Sequence, residues 1–298
     1  MSENRQIEGV IVPIVTPVDG ADRVDEASFR ALIDHLSEAG VHGLFIGGSA
    51  GEGPLFPESE WRRMMEVAFD QANGKLTLLA GVNDTSTQKV LAKIRVVEEI
   101  GYKNFVLTPT FYIATRTASE HLRLFGACKE AAPELEMIAY NIPGVVASEI
   151  AVSTLIDMRN RGWISCCKES SGNIAYLSEL LRQAHEVGLS VLCGDESVVA
   201  DSLMAGACGM VPVCANFEPQ TYVDGFAAAR EARYGDLLLM QQRVLKLRHE
   251  VVFTADCWLA ACKYAVSRLG IGSGKPVSPL EPLNEEQRRV VDQVLATS

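Results

Sequence analysis

Two kinds of segment alternate along this chain of 298 residues. Short apolar runs occur at 9–16, 43–48, 76–82, 105–110, 137–142, 164–169, 190–195 and 209–215. Runs of this length, bounded by turn residues, read as buried strands. Between them lie amphipathic stretches of helical length at 25–40, 57–72, 85–101, 118–131, 150–161, 173–188 and 197–206. In the first of these, Phe29, Leu32, Ile33 and Leu36 fall on one face, the spacing of a helix packed on a core. The second opens with Pro57 at a first helical position. The third begins with Asp84-Thr85-Ser86, which caps a helix, and ends on Gly101.

Strands that alternate with helices predict βαβ units and a parallel sheet. Eight such units in succession predict a (β/α)8 TIM barrel. A doubly wound open sheet is the alternative. It usually carries a Gly-rich phosphate loop after the first strand, and here that strand runs into Thr16-Pro17-Val18-Asp19-Gly20. After Glu218 the strand pattern stops, and 222–231, 235–249, 255–269 and 285–296 all read as helices. The expected organisation is therefore a barrel over 1–220 and a C-terminal helical extension over 221–298.

Composition narrows the function classes. The chain is 48% apolar, enough for a sizeable core. Its net charge of −11 argues against nucleic acid or an anionic membrane as a partner. No apolar run reaches the roughly 18 residues of a membrane helix. The opening residues 1–6 lack an apolar signal segment. None of the eight cysteines forms a C-x-x-C pair. A reduced, cytoplasmic protein is expected. The five histidines show no metal-binding spacing, which argues against a metal without excluding one built from distant ligands.

In a barrel, chemistry gathers where strands end and βα loops begin. The second strand ends in Gly47-Gly48-Ser49-Ala50-Gly51-Glu52-Gly53. Such a loop either cradles a carboxylate with backbone N–H groups or is simply a tight turn. The fourth strand ends in Thr108-Pro109-Thr110-Phe111-Tyr112, and the fifth in Tyr140-Asn141-Ile142-Pro143. Tyr140 is either a core tyrosine or a proton relay. The seventh strand ends in Gly194-Asp195-Glu196. Of nine lysines, Lys168 alone falls at the C-terminal end of a predicted strand. A lysine there either reaches out to water or is desolvated, loses its proton and attacks a carbonyl carbon. A lysine, a proton carrier and an anion site on neighbouring strands together suit a 2-oxo acid.

The motifs P-I-V-T-P-V, G-G-S-A-G-E, T-P-T-F-Y, Y-N-I-P, C-K-E-S-S-G-N, G-D-E and P-V-S-P-L-E-P-L occur in this order across nearly the whole chain. With them the chain resembles the dihydrodipicolinate synthase / N-acetylneuraminate lyase family of pyruvate-type class I aldolases. The resemblance implies that Lys168 forms the Schiff base and that Tyr140 moves protons. It places Ser49 among the catalytic groups. It implies that Ala50, Gly51, Tyr112, Ser170, Asp195, Glu196 and Val211 contact substrate. It also implies a homotetramer or homodimer, and no metal or organic cofactor.

Several positions depart from the synthase branch. Ala50 stands where family members usually have Thr. No arginine follows Tyr140 in Pro143-Gly144-Val145-Val146-Ala147, and Phe111 stands where the synthases have a tyrosine. Ser170 and the Asp195-Glu196 pair resemble instead the lyases that act on hydroxylated substrates. The expected function is Schiff-base cleavage, or dehydration, of a 2-oxo-3-deoxy sugar acid, with pyruvate as product or condensing partner. The alternatives are 4-hydroxy-tetrahydrodipicolinate synthase and a non-catalytic 2-oxo acid binding protein.

Overall fold

The computed structural model describes residues 7–297. The expectation for the opening residues 1–6 lies outside them, as does Ser298. Eight parallel strands close into one barrel in sequence order. They are β1 (Gly9–Pro13), β2 (Gly43–Ile46), β3 (Thr77–Gly81), β4 (Asn104–Leu107), β5 (Glu136–Asn141), β6 (Ile164–Glu169), β7 (Ser190–Cys193) and β8 (Gly209–Met210). The connecting helices are α1 (Glu26–Glu38), α2 (Glu58–Ala72), α3 (Thr87–Ile100), α4 (Ala118–Ala131), a single turn α5 (Pro143–Val146), α6 (Val152–Asn160), α7 (Ile174–Val187) and α8 (Val199–Met204). The extension holds α9 (Pro219–Arg230), α10 (Tyr234–Glu250), α11 (Trp258–Ser267) and α12 (Glu285–Leu295). The fold is the TIM barrel with a C-terminal helical extension that the alternation predicts.

The strands are shorter than the apolar runs, for local reasons. β8 stops at Met210 although its run continues to 215. Pro212 has no N–H to extend the ladder, and the chain turns through a short 3-10 segment, Cys214–Asn216. At the end of β4, the N–H of Thr108 turns from the ladder to Asn83 Oδ1 at 2.9 Å. Asn216 seals the closure between β8 and β1: its Oδ1 accepts from Val15 N at 3.0 Å, and its Nδ2 donates to Pro13 O at 3.0 Å.

Side chains alternate between two cores, as the pleat requires. Ile11, Phe45, Leu79, Val106, Ile138, Tyr140, Cys166, Leu192 and Val211 fill the barrel. The outward residues meet the helices in a second, larger core. On β6 this sends Cys166 inward and Cys167 outward. Lys168 follows on the inward side. Among the described residues no helix is long and apolar enough to cross a membrane.

Candidate active site

The β5–β6 register pairs Tyr140 with Lys168 and Asn141 with Glu169. Tyr140 and Lys168 therefore stand side by side on the barrel interior, one position below the C-terminal rim. Lys168 Nζ lies 4.1 Å from the centre of the Tyr140 ring and 4.8 Å from that of Phe45. No carboxylate pairs with it within salt-bridge distance among the described residues. Burial lowers its pKa from the ordinary lysine value to about 7, against smaller upward pulls from Cys193 and Glu196. Near neutral pH a large share of Lys168 is thus the free amine, the nucleophilic form.

Burial pushes the Tyr140 phenol well above its ordinary range, with Ser170 and Ser49 pulling the other way. The phenol stays protonated at neutral pH and is suited to pass a proton on rather than to hold a charge. Ser170 Oγ is buried and lies beside the Tyr140 phenol, so its hydroxyl is placed to meet a ligand held there. Gly194 makes room for this group. A Cβ there would stand 2.0 Å from Ser170 Oγ and 2.9 Å from Lys168 Cε.

These residues line a cavity of about 430 Å³ with Ser49, Ala50, Ile142, Asp195 and Val211. The loop after β2 is held in place from behind. Thr16 Oγ1 donates to Gly51 O at 2.9 Å. Gly53 packs against Gly47, where a Cβ would sit 2.1 Å from a carbonyl oxygen. Glu52 adopts a left-handed φ of 56° and turns its carboxylate away from the cavity. It accepts from Lys263 Nζ at 2.5 Å and from Val277 N at 2.7 Å. Gly51 thereby serves the loop's shape and does not line the cavity.

The other expected residues divide. Asp195 borders the cavity and accepts at Oδ1 from Ser197 N at 2.9 Å and Ser197 Oγ at 2.6 Å. Glu196 also borders it, but its carboxylate is committed elsewhere. Its Oε1 accepts from Tyr222 Oη at 2.5 Å and from Cys214 N at 3.0 Å, and its Oε2 faces the Cys214 thiol. Burial raises its pKa. The expected role in holding substrate hydroxyls gives way to a structural one, joining the β7 rim to α9. Tyr112 is 92% exposed at a left-handed φ of 73°, and Phe111 lines a separate groove with Phe56 and Trp61. This single chain brings neither to Lys168, because the loop after β4 turns outward.

Sequence reasoning missed the roof of the cavity. Arg248, Val252, Phe253 and Trp258 all line it, and all come from the extension, which the strand-end rule does not search. No local motif marked them.

Comparison with known proteins agrees with this architecture. Residues 6–298 match the model of the Dihydrodipicolinate synthetase family. The chain is 30% identical over 291 residues to a 4-hydroxy-tetrahydrodipicolinate synthase of Methylobacterium radiotolerans, covering 97% of this chain and 95% of that one. It is 28% identical over 292 residues to an uncharacterized DapA-like lyase of Halobacterium salinarum, covering 97% and 93%. Among solved structures, dihydrodipicolinate synthase of Bacteroides thetaiotaomicron superposes with a TM-score of 0.92 at 26% identity, covering 98% of each chain.

Proposed function

The chain belongs to the Dihydrodipicolinate synthetase family, and from that premise we propose that it cleaves or dehydrates a 2-oxo-3-deoxy sugar acid through a Schiff base on Lys168. The family's members are class I aldolases and lyases, and this chain is an enzyme of that kind. The observation that supports the Schiff-base step of this reading is Lys168. It is buried, its pKa is lowered to about 7, and it stands beside Tyr140 at the floor of the cavity.

The neutral Lys168 amine adds to C2 of the 2-oxo acid. Tyr140 passes a proton to the departing oxygen, water leaves, and an iminium forms. In the aldol form the C4 hydroxyl gives its proton to Tyr140, which has just passed its own to the departing oxygen, and the C3–C4 bond breaks. Its electron pair moves into the iminium, giving an enamine and an aldehyde. Protonation at C3 and hydrolysis then release pyruvate and restore Lys168. In the dehydratase form C3 loses a proton to give the enamine, which expels the C4 hydroxyl as water. The N–H groups of the loop at Ser49 and Ala50 hold the C1 carboxylate. Ser170, buried beside Tyr140, meets a substrate hydroxyl. A homotetramer or homodimer is part of this reading, as is the absence of an organic cofactor.

The test is the mass of the adduct on Lys168 after incubation with a panel of 2-oxo-3-deoxy sugar acids and borohydride reduction. Reduced pyruvate on Lys168 is expected for the aldolase form, and a dehydrated whole acid for the dehydratase form. An unmodified Lys168, with this panel and with pyruvate, sinks the mechanism. A second reading, 4-hydroxy-tetrahydrodipicolinate synthase, is favoured by the activity named for the relative at 30% identity. Condensation of pyruvate with aspartate semialdehyde would favour it.

A further inference from the structure

Two cations line the cavity among the described residues, Lys168 and Arg248. Lys168 has its task in the proposed reaction. Arg248 has none. It lies in the last turn of α10, half-buried, with its guanidinium carbon 4.6 Å from the centre of the Phe253 ring. Its nearest anion is Asp195 Oδ1, at 3.7 Å from Nη2, too far for a hydrogen bond. That oxygen already accepts from Ser197. The guanidinium thus makes no hydrogen bond among the described residues. It is oriented by a ring on one side and a carboxylate on the other, with its planar fork of donors unspent.

The geometry points to Arg248 as the residue that selects the substrate, by binding a second carboxylate at the end remote from the 2-oxo group. This rests on the Schiff-base reading and narrows it. The near carboxylate has its place on the loop after β2, and the 2-oxo carbon sits at Lys168. Arg248 enters from the extension, beside Asp195 on the β7 side of the mouth. Its neighbours in the roof, Val252 and Trp258, bring no second charge to that end of the cavity. A carboxylate is the matching anion in both shape and charge. The fork takes it through two parallel hydrogen bonds. Asp195 offsets much of the guanidinium charge, so one added negative charge is accommodated better than the two of a phosphate.

The test compares matched 2-oxo acids for capture on Lys168 of the full-length enzyme by borohydride, a readout that does not depend on which bond later breaks. 2-Oxoglutarate and 2-oxoadipate carry the remote carboxylate at two chain lengths. 2-Oxohexanoate replaces it with a neutral end, and 2-oxo-4-phosphonobutanoate with a phosphonate. At least one dicarboxylate should half-saturate capture at a concentration about 30-fold below that of 2-oxohexanoate, the scale of a charge-assisted bidentate pair. Arg248→Met should bring that ratio close to one, and Arg248→Lys should keep part of it. Because the ratio is taken within each variant, a loss of folded protein cancels. A ratio near one in the unmodified enzyme, an unchanged ratio in Arg248→Met, or a preference for the phosphonate overturns the inference. Pyruvate separates the two levels: no capture of pyruvate means the Schiff-base reading has failed, while capture of pyruvate with a flat ratio means that only the role of Arg248 has.

Discussion

Two lysines of this protein are buried, and they stand in opposite electrical surroundings. Lys168 is 6% exposed at the barrel mouth, with the faces of Tyr140 and Phe45 against it and no ion-pair partner among the described residues. Lys263 is 3% exposed on α11, at the seam between barrel and extension, and donates to Glu52 at 2.5 Å. Burial lowers the pKa of both, but at Lys263 the Glu52 charge and hydrogen bond pull back toward the charged form. A buried lysine without a counter-ion gives up its proton and becomes a nucleophile. A buried lysine with one is held back from that loss and, through its hydrogen bond, fastens two parts of the fold. Lys168 thus bears the cost of burial alone, whereas Lys263 shares it with a buried carboxylate that its removal would strand.

The largest expected effect is at Lys168. Lys168→Met should abolish turnover and borohydride trapping, and it should also raise the thermal melting point. The sign follows from linkage. In the unfolded chain the lysine holds its proton up to its ordinary value of 10.5, whereas in the fold it loses it above about 7. Between these values the unfolded state binds more protons, so the folded state carries a penalty on the order of a few kcal/mol. The gain from Met should be full at pH 7 and below and should fade as pH rises toward 10.5. A melting point that falls in Lys168→Met would mean that the lysine is paired in the fold.

Lys263→Met should do the reverse. It leaves Glu52 buried and without its cation, which costs about 3–5 kcal/mol. The loss should appear as a lower denaturant midpoint. Because Glu52 belongs to the loop that carries Ser49 and Ala50, the affinity for 2-oxo acids should weaken as well. Adding Glu52→Gln to Lys263→Met removes the stranded charge and should recover part of the stability. If the single variant is as stable as the parent, the pair is not what holds the seam.

The contrast also separates what the sequence could disclose from what it could not. The alternation of apolar runs and amphipathic stretches is local, so the eight strands and their helices were legible, and with them the strand-end position of Lys168. Its neighbour Tyr140 was legible because both close a strand, and barrel interiors bring strand ends together. Lys263 gave no such sign, since its partner lies 211 residues away and no local pattern joins them. Arg248 was hidden for the same reason. Glu196 misled because a carboxylate next to Asp195 at a rim resembles a ligand group. Only the fold shows Tyr222 and Cys214 already bonded to it. Tyr112 stands away from Lys168 in this single chain because the direction of a loop is set by packing, not by its motif.

Gly194→Ala offers a finer test of the space around the unpaired lysine. The added methyl would meet Ser170 Oγ and Lys168 Cε, both side-chain atoms that can rotate, with Glu169 O at 3.1 Å behind them. Folding should therefore suffer little, while the amine is displaced from its line of attack. A fall of about tenfold in kcat with a nearly unchanged melting point is expected, the usual consequence of a small misplacement at a reacting atom. Unchanged kcat would mean that Lys168 and Ser170 have more freedom than their packing indicates.

The smallest effect is the most direct reading of the comparison. Trapping of pyruvate on Lys168 should depend on pH through the amine itself. With a pKa of about 7, the neutral fraction is near one half at pH 7, and the trapping rate should fall about fivefold by pH 6. It should gain no more than about twofold above pH 8, where the amine is already free. An ordinary exposed lysine would instead gain about tenfold for each unit up to its usual value. The same titration followed in Lys263→Met should keep its midpoint, because the two ammonium sites have separate surroundings. A midpoint that moved with Lys263 would join the two sites electrically, and the lowered pKa of Lys168 would then no longer be a matter of burial alone.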